Sequence, residues 1–409
     1  MKNGLWTRNF TLVITATAFG AVGGITGGFA LSFLVFDETG STLASALIIA
    51  IQLVPYFVLP LILAPIMDRL PRKPFLVGGD IVNGVLYTLM GVYLMFSRFS
   101  YVGYLCYSLL LAAIGSFDEL AFNSFYPTLI PDGMEQQGYA VSSMLYPVMK
   151  VIMTPLAAVL LDAIGCAWLL VIQGAMSFIA AAVESAIRTT ETKRLDGEGF
   201  SVRVWLEDVK QAAVYLKQER GLMSIYSYMA VTNGVGNGYS PILVAFFRTA
   251  PGFSAAMYSL FSVAEFIGRS VGGAVQYRIK IPNNKKFGFA FAVYQIYETM
   301  DMCLLWLPYP LMLVSRAICG FLGMNSATMR QAAVQRYIPE QLRARVNAFE
   351  SMLITAAVSV LSLAVGALGE LLDYRLCVTI CAAVSMAACW LTIWRNREHV
   401  RKVYERETV

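Results

Sequence analysis

Apolar positions run in long blocks along the chain, each closed by a short break of charged, glycine or proline residues. The blocks predict helices at about 9–36, 42–67, 74–97, 101–128, 139–163, 165–187, 222–248, 253–277, 286–307, 309–333, 345–370 and 374–395. At ~1.5 Å rise per residue, each is long enough to cross a hydrocarbon layer ~30 Å thick. Stretches that are apolar on every face, without strand-like alternation, belong in lipid or in a deep core. Twelve of them are too many for one soluble core to hide. The expected fold class is therefore an all-α polytopic membrane protein with twelve transmembrane helices. The first block is expected to persist as a span rather than be cleaved as a signal peptide, because its apolar core is too long and a second span follows directly.

One long polar stretch divides the pattern, at about 188–221. Within it Val204, Val209, Ala212, Ala213 and Leu216 recur at roughly helical spacing between charged residues. That arrangement predicts an amphipathic helix lying along the cytoplasmic membrane surface. The expected organisation is a six-helix bundle at 1–187, a linker with this helix at 188–221, a second six-helix bundle at 222–395 and a cytoplasmic tail at 396–409.

The two bundles repeat each other at a constant offset of 208 positions. Ile130-Pro131-Asp132 falls on Ile338-Pro339-Glu340, Gly115 on Gly323, Ala140 on Ala348 and Ile172 on Ile380. Pseudo-symmetric halves of this kind can rock about their midline, which is how a secondary transporter exposes one site alternately to two sides. Corresponding spans are also rich in glycine. The first carries Gly20, Gly23, Gly24, Gly27 and Gly28, and the seventh Gly234, Gly236 and Gly238. Glycine-interrupted spans in matching positions point to a cavity, here lined by Thr26, Asn233 and Asn237. The alternative is close packing through small residues, which membrane bundles favour.

Composition and charge sharpen this picture. The chain is 57% hydrophobic and 14% charged, against roughly 25% charged in soluble domains. Lys2 and Arg8, then Arg69, Arg72 and Lys73, the seven basic residues of the linker, and Arg278, Lys280, Lys285 and Lys286 all fall on one side of the predicted topology. Arg336, Arg343, Arg345 and the basic tail join them, while the opposite loops hold only Arg98, Arg248 and Arg375. The bias places both termini in the cytoplasm, in a cell (plasma) membrane protein. It also accounts for the net charge of +5, so nucleic acid is not an expected partner; the lipid bilayer and a small-molecule substrate are. The seven cysteines lie within or beside the spans and show no disulfide or metal spacing. The single histidine, His399, lies in the tail, which excludes a buried histidine relay. No nucleophile–base pair and no phosphate-binding glycine loop is present, so neither an enzyme nor an ATP-driven pump is expected. No cofactor is expected, with the proton gradient as the energy source.

Between the second and third spans stands APIMDRLPRKPFLVGGD, from Ala64 to Asp80. Its core, Asp68-Arg69-x-x-Arg72-Lys73, resembles the signature loop of the major facilitator superfamily, with Ala64 and Pro71 in place of two glycines. Gly272-Gly273-Ala274-Val275-Gln276 repeats the start of the motif in the second half. Within the superfamily, the stretch around this loop is most similar to bacterial drug exporters of the macrolide-efflux type. The resemblance implies two six-helix bundles, a monomer, and a cytoplasmic latch in which Asp68 accepts hydrogen bonds from the helix N-terminus near Arg343–Val346. An anion is favoured at such a terminus. Arg69, Arg72 and Lys73 would fix the topology and hold the latch or anionic headgroups. The chain departs from the family at Thr154-Pro155-Leu156-Ala157-Ala158, where exporters often carry glycines, and at Ala112, where many members carry arginine.

Ionisable residues inside spans are costly and need a partner or a task. Asp301 lies about two turns before the turn at Pro308 and Arg316 about two turns after it, so the two should meet as a structural ion pair, with Glu298 one turn from Asp301. Lys150 and Glu265 both sit near the middle of their spans; they could form a pair that makes and breaks as the halves rock, or Glu265 could pair with Arg269 on its own helix. Ser116, Glu119 and Asn123 form a polar stripe on the fourth span, which lines the cavity in the family. Glu119 is the first candidate for proton coupling or cation recognition and Asp118 the second; Asn123 and Asn325 complete the cavity candidates. Tyr226, Tyr228, Tyr239, Tyr294 and Tyr297 suit cation–π contacts or ordinary packing. The expected function is a proton-coupled efflux transporter of an amphipathic organic compound, cations included, working by alternating access. Alternatives are an exporter of a lipid-like or siderophore-like metabolite, a small-nutrient uptake permease, and a transporter-like sensor without flux.

Overall fold

The computed structural model describes residues 5–67, 71–97, 99–131, 134–188, 202–278 and 281–405, and no strand occurs among them. The helices, in order, are α1 (Arg8–Thr39), α2 (Thr42–Met67), α3 (Arg72–Phe96), α4 (Tyr101–Phe125), α5 (Glu135–Ser185), α6 (Val202–Gln218) and α7 (Arg220–Gly238). They continue as α8 (Ser240–Thr249), α9 (Ala255–Arg278), α10 (Lys286–Cys303), α11 (Tyr309–Tyr337), α12 (Glu340–Leu371), α13 (Tyr374–Cys389) and α14 (Arg397–Glu405). Helix thus covers every predicted span. Among the described residues, seven helical segments are by length and composition alone apolar enough to cross a membrane. Large side chains such as Phe96, Val102, Leu371 and Leu391 stand on the outside. Such a surface is stable against lipid and a liability in water.

Local chemistry sets the boundaries. Thr7 caps α1 by accepting from the Phe10 amide, and Ser100 caps α4 by accepting from Gly103. Both place a side-chain oxygen on a donor the helix itself leaves unpaired. Gly40 closes α1 in the left-handed region, at φ 63. Gly165, at φ 81 and ψ 168, divides α5 into two arms that correspond to the fifth and sixth spans. A side chain would strain that backbone, so glycine is what permits two spans to follow each other with no loop.

Contacts gather the chain into two compact units: Met1–Gly40 with Ile51–Phe200, and Ser41–Ala50 with Ser201–Val409. In the first unit α1 and α3 pack along α5. Phe10, Val13, Leu76, Phe125, Tyr126 and Leu129 form its core at the chain-entry end. In the second, α9 packs along α11 and α12 along α7. The start of α2 belongs to the second unit because α12 holds it. Thr42 Oγ1 donates to the Gly366 carbonyl (2.9 Å), and Glu370 Oε1 accepts from Ser41 Oγ (2.7 Å) and the Leu43 amide (3.0 Å). The carboxylate thereby satisfies free donors at a helix N-terminus.

Three expectations change here. First, α1 runs unbroken through its glycines, while the seventh span divides at Tyr239 into α7 and α8. Second, Leu216 of the linker helix α6 is 1% exposed and packs in the second-unit core, so that position covers protein rather than lipid. Third, the tail contains the helix α14. Val400, Val403 and Tyr404 bury against Leu222 and Tyr294, and the Tyr404 hydroxyl meets that of Tyr294 at 2.9 Å.

Candidate functional site: buried carboxylates in a helical membrane bundle

A buried polar cluster lies in the second unit, where α7, α10 and α11 meet. Helix α10 presents Glu298 and Asp301 three positions apart, hence on one face. Asp301 Oδ1 lies 3.3 Å from Arg316 Nη1, with side-chain exposures of 4% and 6%. The pair attracts by charge without the alignment of a hydrogen bond, since Oδ1 has no hydrogen-bond partner. Tyr239 completes it by donating to Asp301 Oδ2 (3.0 Å) and accepting from Arg316 Nη2 (3.3 Å). The Arg316 guanidinium also lies over the rings of Tyr239 and Phe261, at 5.9 and 5.8 Å. Glu298 has no cation of its own among the described residues. Its Oε1 accepts from the hydroxyls of Tyr228 and Thr232, each at 3.1 Å. The cluster thus holds two carboxyls, one guanidinium and three hydroxyls, one acid more than it has bases.

The other sequence candidates distribute as follows. Arg269 donates to Glu265 Oε1 from Nε (3.0 Å) and Nη2 (2.7 Å). Glu265 therefore pairs within α9, while Lys150 is exposed on α5. Glu119 is also exposed, whereas Asp118 beside it is half-buried. Asp118 Oδ1 is sealed from solvent, and Oδ2 accepts from Asn83 Nδ2 at 2.8 Å. One residue of helical rotation, about 100°, separates the two faces.

The cavity candidates are partly overturned. Thr26 is 0% exposed and donates to the Val22 carbonyl, so it is packed rather than lining a space. Asn325, 5% exposed, donates to the Phe321 carbonyl. Asn233 donates to the Met229 carbonyl and Asn237 to that of Asn233, with Asn237 exposed, as is Asn123. The glycines of α1 differ in what they meet. Gly23 and Gly27 press on Gln173 and Met176, whereas nothing lies within 4 Å of a Cβ at Gly20, Gly24 or Gly28. Tyr226, Tyr228 and Tyr294 are core residues, which leaves half-buried Tyr239 and Tyr297 beside the acids.

Asp68 and Arg69 of the signature loop lie outside the described residues. Of its other members, Arg72 Nη1 donates to the Ser124 carbonyl (2.7 Å), and Lys73 Nζ donates to those of Ser185 (2.8 Å) and Ile187 (2.7 Å). These are last-turn carbonyls of α4 and the end of α5, where a cation is favoured. Sequence reasoning did not single out Asp80, Glu184 or Glu370. Their signal was present, an acid inside or at the edge of an apolar span, but no neighbour in sequence marked them.

A repeated six-span helical chain with apolar outer faces and acids sealed inside is a polytopic membrane transporter, not an enzyme. The chain belongs to the major facilitator superfamily: the sequence profile described as Major Facilitator Superfamily matches residues 11–295 and 300–408. Solved structures of similar fold include a POT family transporter in complex with 5-aminolevulinic acid, at TM-score 0.72 and 10% identity, covering 97% of this chain and 98% of that one. The nucleoside transporter NupG follows at TM-score 0.68 and 11% identity, covering 95% and 100%. A bacterial homolog of the human lysosomal transporter Spinster aligns at TM-score 0.65 and 14% identity, covering 98% and 94%. No curated protein matches the chain by sequence at a significant level.

Proposed function

We propose that this transporter is a proton-coupled exporter of an amphipathic organic compound, cations included, working by alternating access in the cell membrane with both termini in the cytoplasm. Glu298 carries this reading. It is 3% exposed, it is held by two hydroxyls, and the Arg316 guanidinium of the cluster is committed to Asp301. A carboxyl in that setting keeps a proton while sealed from water and yields it when the site is wetted, which is the exchange a coupling group performs. Glu298 thereby replaces Glu119, whose exposed position gives it no such change of environment. The export direction and amphipathic cargo are supported by the loop resemblance to macrolide-type exporters. The solved relatives differ among themselves in what they bind and favour no single solute.

The test is substrate-driven proton movement in proteoliposomes, with lipophilic cations, macrolides and lysolipids offered to wild type, Glu298→Gln and Glu119→Gln. Proton release on adding a compound, kept in Glu119→Gln and lost in Glu298→Gln, is the expected result. Flux without any proton signal would overturn proton coupling, and proton movement retained in Glu298→Gln would remove that residue from the reaction.

A further inference from the structure

An excess of acid recurs in the first unit, on side chains the proposed coupling step does not use. Asp80 on α3, Asp118 on α4 and Glu184 in the last turn of α5 gather at one level of this unit. Helix register explains why. Gly84 of α3 lies against Phe178 of α5, and Gly91 against Ala167 and Val171. This antiparallel register carries Asp80 to within about a turn of Glu184. Helix α4 reaches the same place over Gly79, where an added Cβ would stand 1.6 Å from Asp118 Oδ1. Asn83, on the same face of α3 as Asp80, fixes the other oxygen of Asp118.

Two oxygens in this group are buried and have no hydrogen-bond partner, Asp118 Oδ1 and Glu184 Oε2. Glu184 is 4% exposed as a whole residue. It also sits at a helix C-terminus, where the backbone dipole opposes negative charge. Lys73 bonds the carbonyls of Ser185 and Ile187 and Arg72 that of Ser124, while Arg188, four residues beyond Glu184, is exposed. Among the described residues no ion pair reaches any of the three carboxyls. The other titratable group within reach of Asp118 is Tyr56 of α2, whose hydroxyl approaches Gly115. Helix α1, packed along α5, carries no acid or base between Arg8 and Asp37. Asp80 and Asp118 are half-buried and Glu184 is sealed, so three ionised carboxylates here, with two orphaned oxygens and no base paired to them among the described residues, call for a compensating cation. A metal ion is a poor fit, since no described residues gather closely enough to hold one.

We propose that Asp80, Asp118 and Glu184 form a proton-binding site in the first unit, with Asn83 as the residue that positions Asp118. A carboxyl O–H on one member donates to a carboxylate oxygen on another, which gives the orphaned oxygens their partners. The proton arrives from water and returns to water, and no other bond changes. Its part in transport rests on the proton-coupled reading above, whereas proton occupancy itself does not.

The test is infrared difference spectroscopy on the purified full-length protein in lipid nanodiscs, following the carbonyl band of protonated carboxyl groups during a pH titration. Asp80→Asn, Asp118→Asn and Glu184→Gln are compared with wild type, and each is first shown to keep its helical content and monodispersity. A band present near neutral pH in wild type, bleached as pH rises and diminished in at least one of the three variants, is the expected result. A band unchanged in all three, or none in wild type, would overturn the site. Sodium chloride replacing choline chloride at constant pH should leave the band alone; its loss would show a metal cation as the occupant and defeat the proposal. If the band behaves as expected while proteoliposomes show no substrate-driven proton movement, the site stands and the coupling reading fails.

Discussion

Arg316 illustrates how much one side chain can decide in a lipid-embedded core. It neutralises Asp301, bonds Tyr239 and covers two aromatic rings. Removing one partner of such a pair leaves a buried charge uncompensated and costs ~3–5 kcal/mol, whereas replacing both with neutral groups of similar size is often tolerated. Arg316→Met should therefore lower the thermal unfolding midpoint sharply in detergent. Arg316→Met with Asp301→Asn should recover most of that loss; a double variant no better than the single one would assign Arg316 a packing role instead. Gly79 is the second sensitive point. An alanine methyl would occupy the position of Asp118 Oδ1, and overpacking of this order costs ~1–3 kcal/mol. Gly79→Ala should lower stability and disturb the infrared carboxyl band, while Gly78→Ala, with nothing within 4 Å, should do neither. Asp301 and Arg316 were legible together because the turn at Pro308 pins both depths. Asp118 and Glu119 were not separable, because neighbouring residues differ in face and only the packed partner helix says which face is inside.

Among the elements, α14 was the least visible in the sequence. Its nine residues are too polar to read as a span and too short to stand alone as a helix. Docking forms it: Val400, Val403 and Tyr404 bury, and the His399 carbonyl approaches Gly221 so closely that a Cβ there would lie 2.5 Å away. Each side chain so buried is worth up to ~1.5–3 kcal/mol. Truncation after Asn396 should therefore reduce the unfolding midpoint and raise aggregation on heating, read by light scattering. Burial first, and Tyr294 second, hold the Tyr404 hydroxyl well above the ordinary tyrosine value of 10.0, with Arg330 opposing. The neutral phenol is the form that docks. Its contribution is complete below the ordinary value and is lost as pH rises through the raised one, so alkaline release of the tail should require a higher pH than free tyrosine ionisation. Hydrogen exchange of α14 amides across that range checks it. Release at or below the ordinary tyrosine value would show that Tyr404 is not what fastens the helix.

For the whole molecule, the Lys and Arg bias should set orientation during insertion. An epitope fused at either end should bind antibody only after intact cells are permeabilised; binding to intact cells would reverse the proposed topology. The two compact units do not coincide with the two sequence halves, because Ser41–Ala50 joins the second unit through Thr42 and Glu370. No periodicity could reveal that assignment, since it depends on one carboxylate capping a helix more than 300 positions away.

The sequence alone determined the membrane class, the helical spans, the internal repeat and the family, because hydrocarbon leaves a chain few ways to satisfy its backbone and those ways write long-range patterns into composition. It determined even the division of α5, since Gly165 stands where apolar length exceeds one crossing. Which acids are sealed and which are open, which glycines touch a neighbour, and what the tail does were decided only by tertiary structure. Those outcomes depend on helix rotation and register, which a helix that is apolar on most faces barely encodes. Glu298, Asp80 and Glu184 became distinguishable from Glu119 only once the partner helices were in place around them.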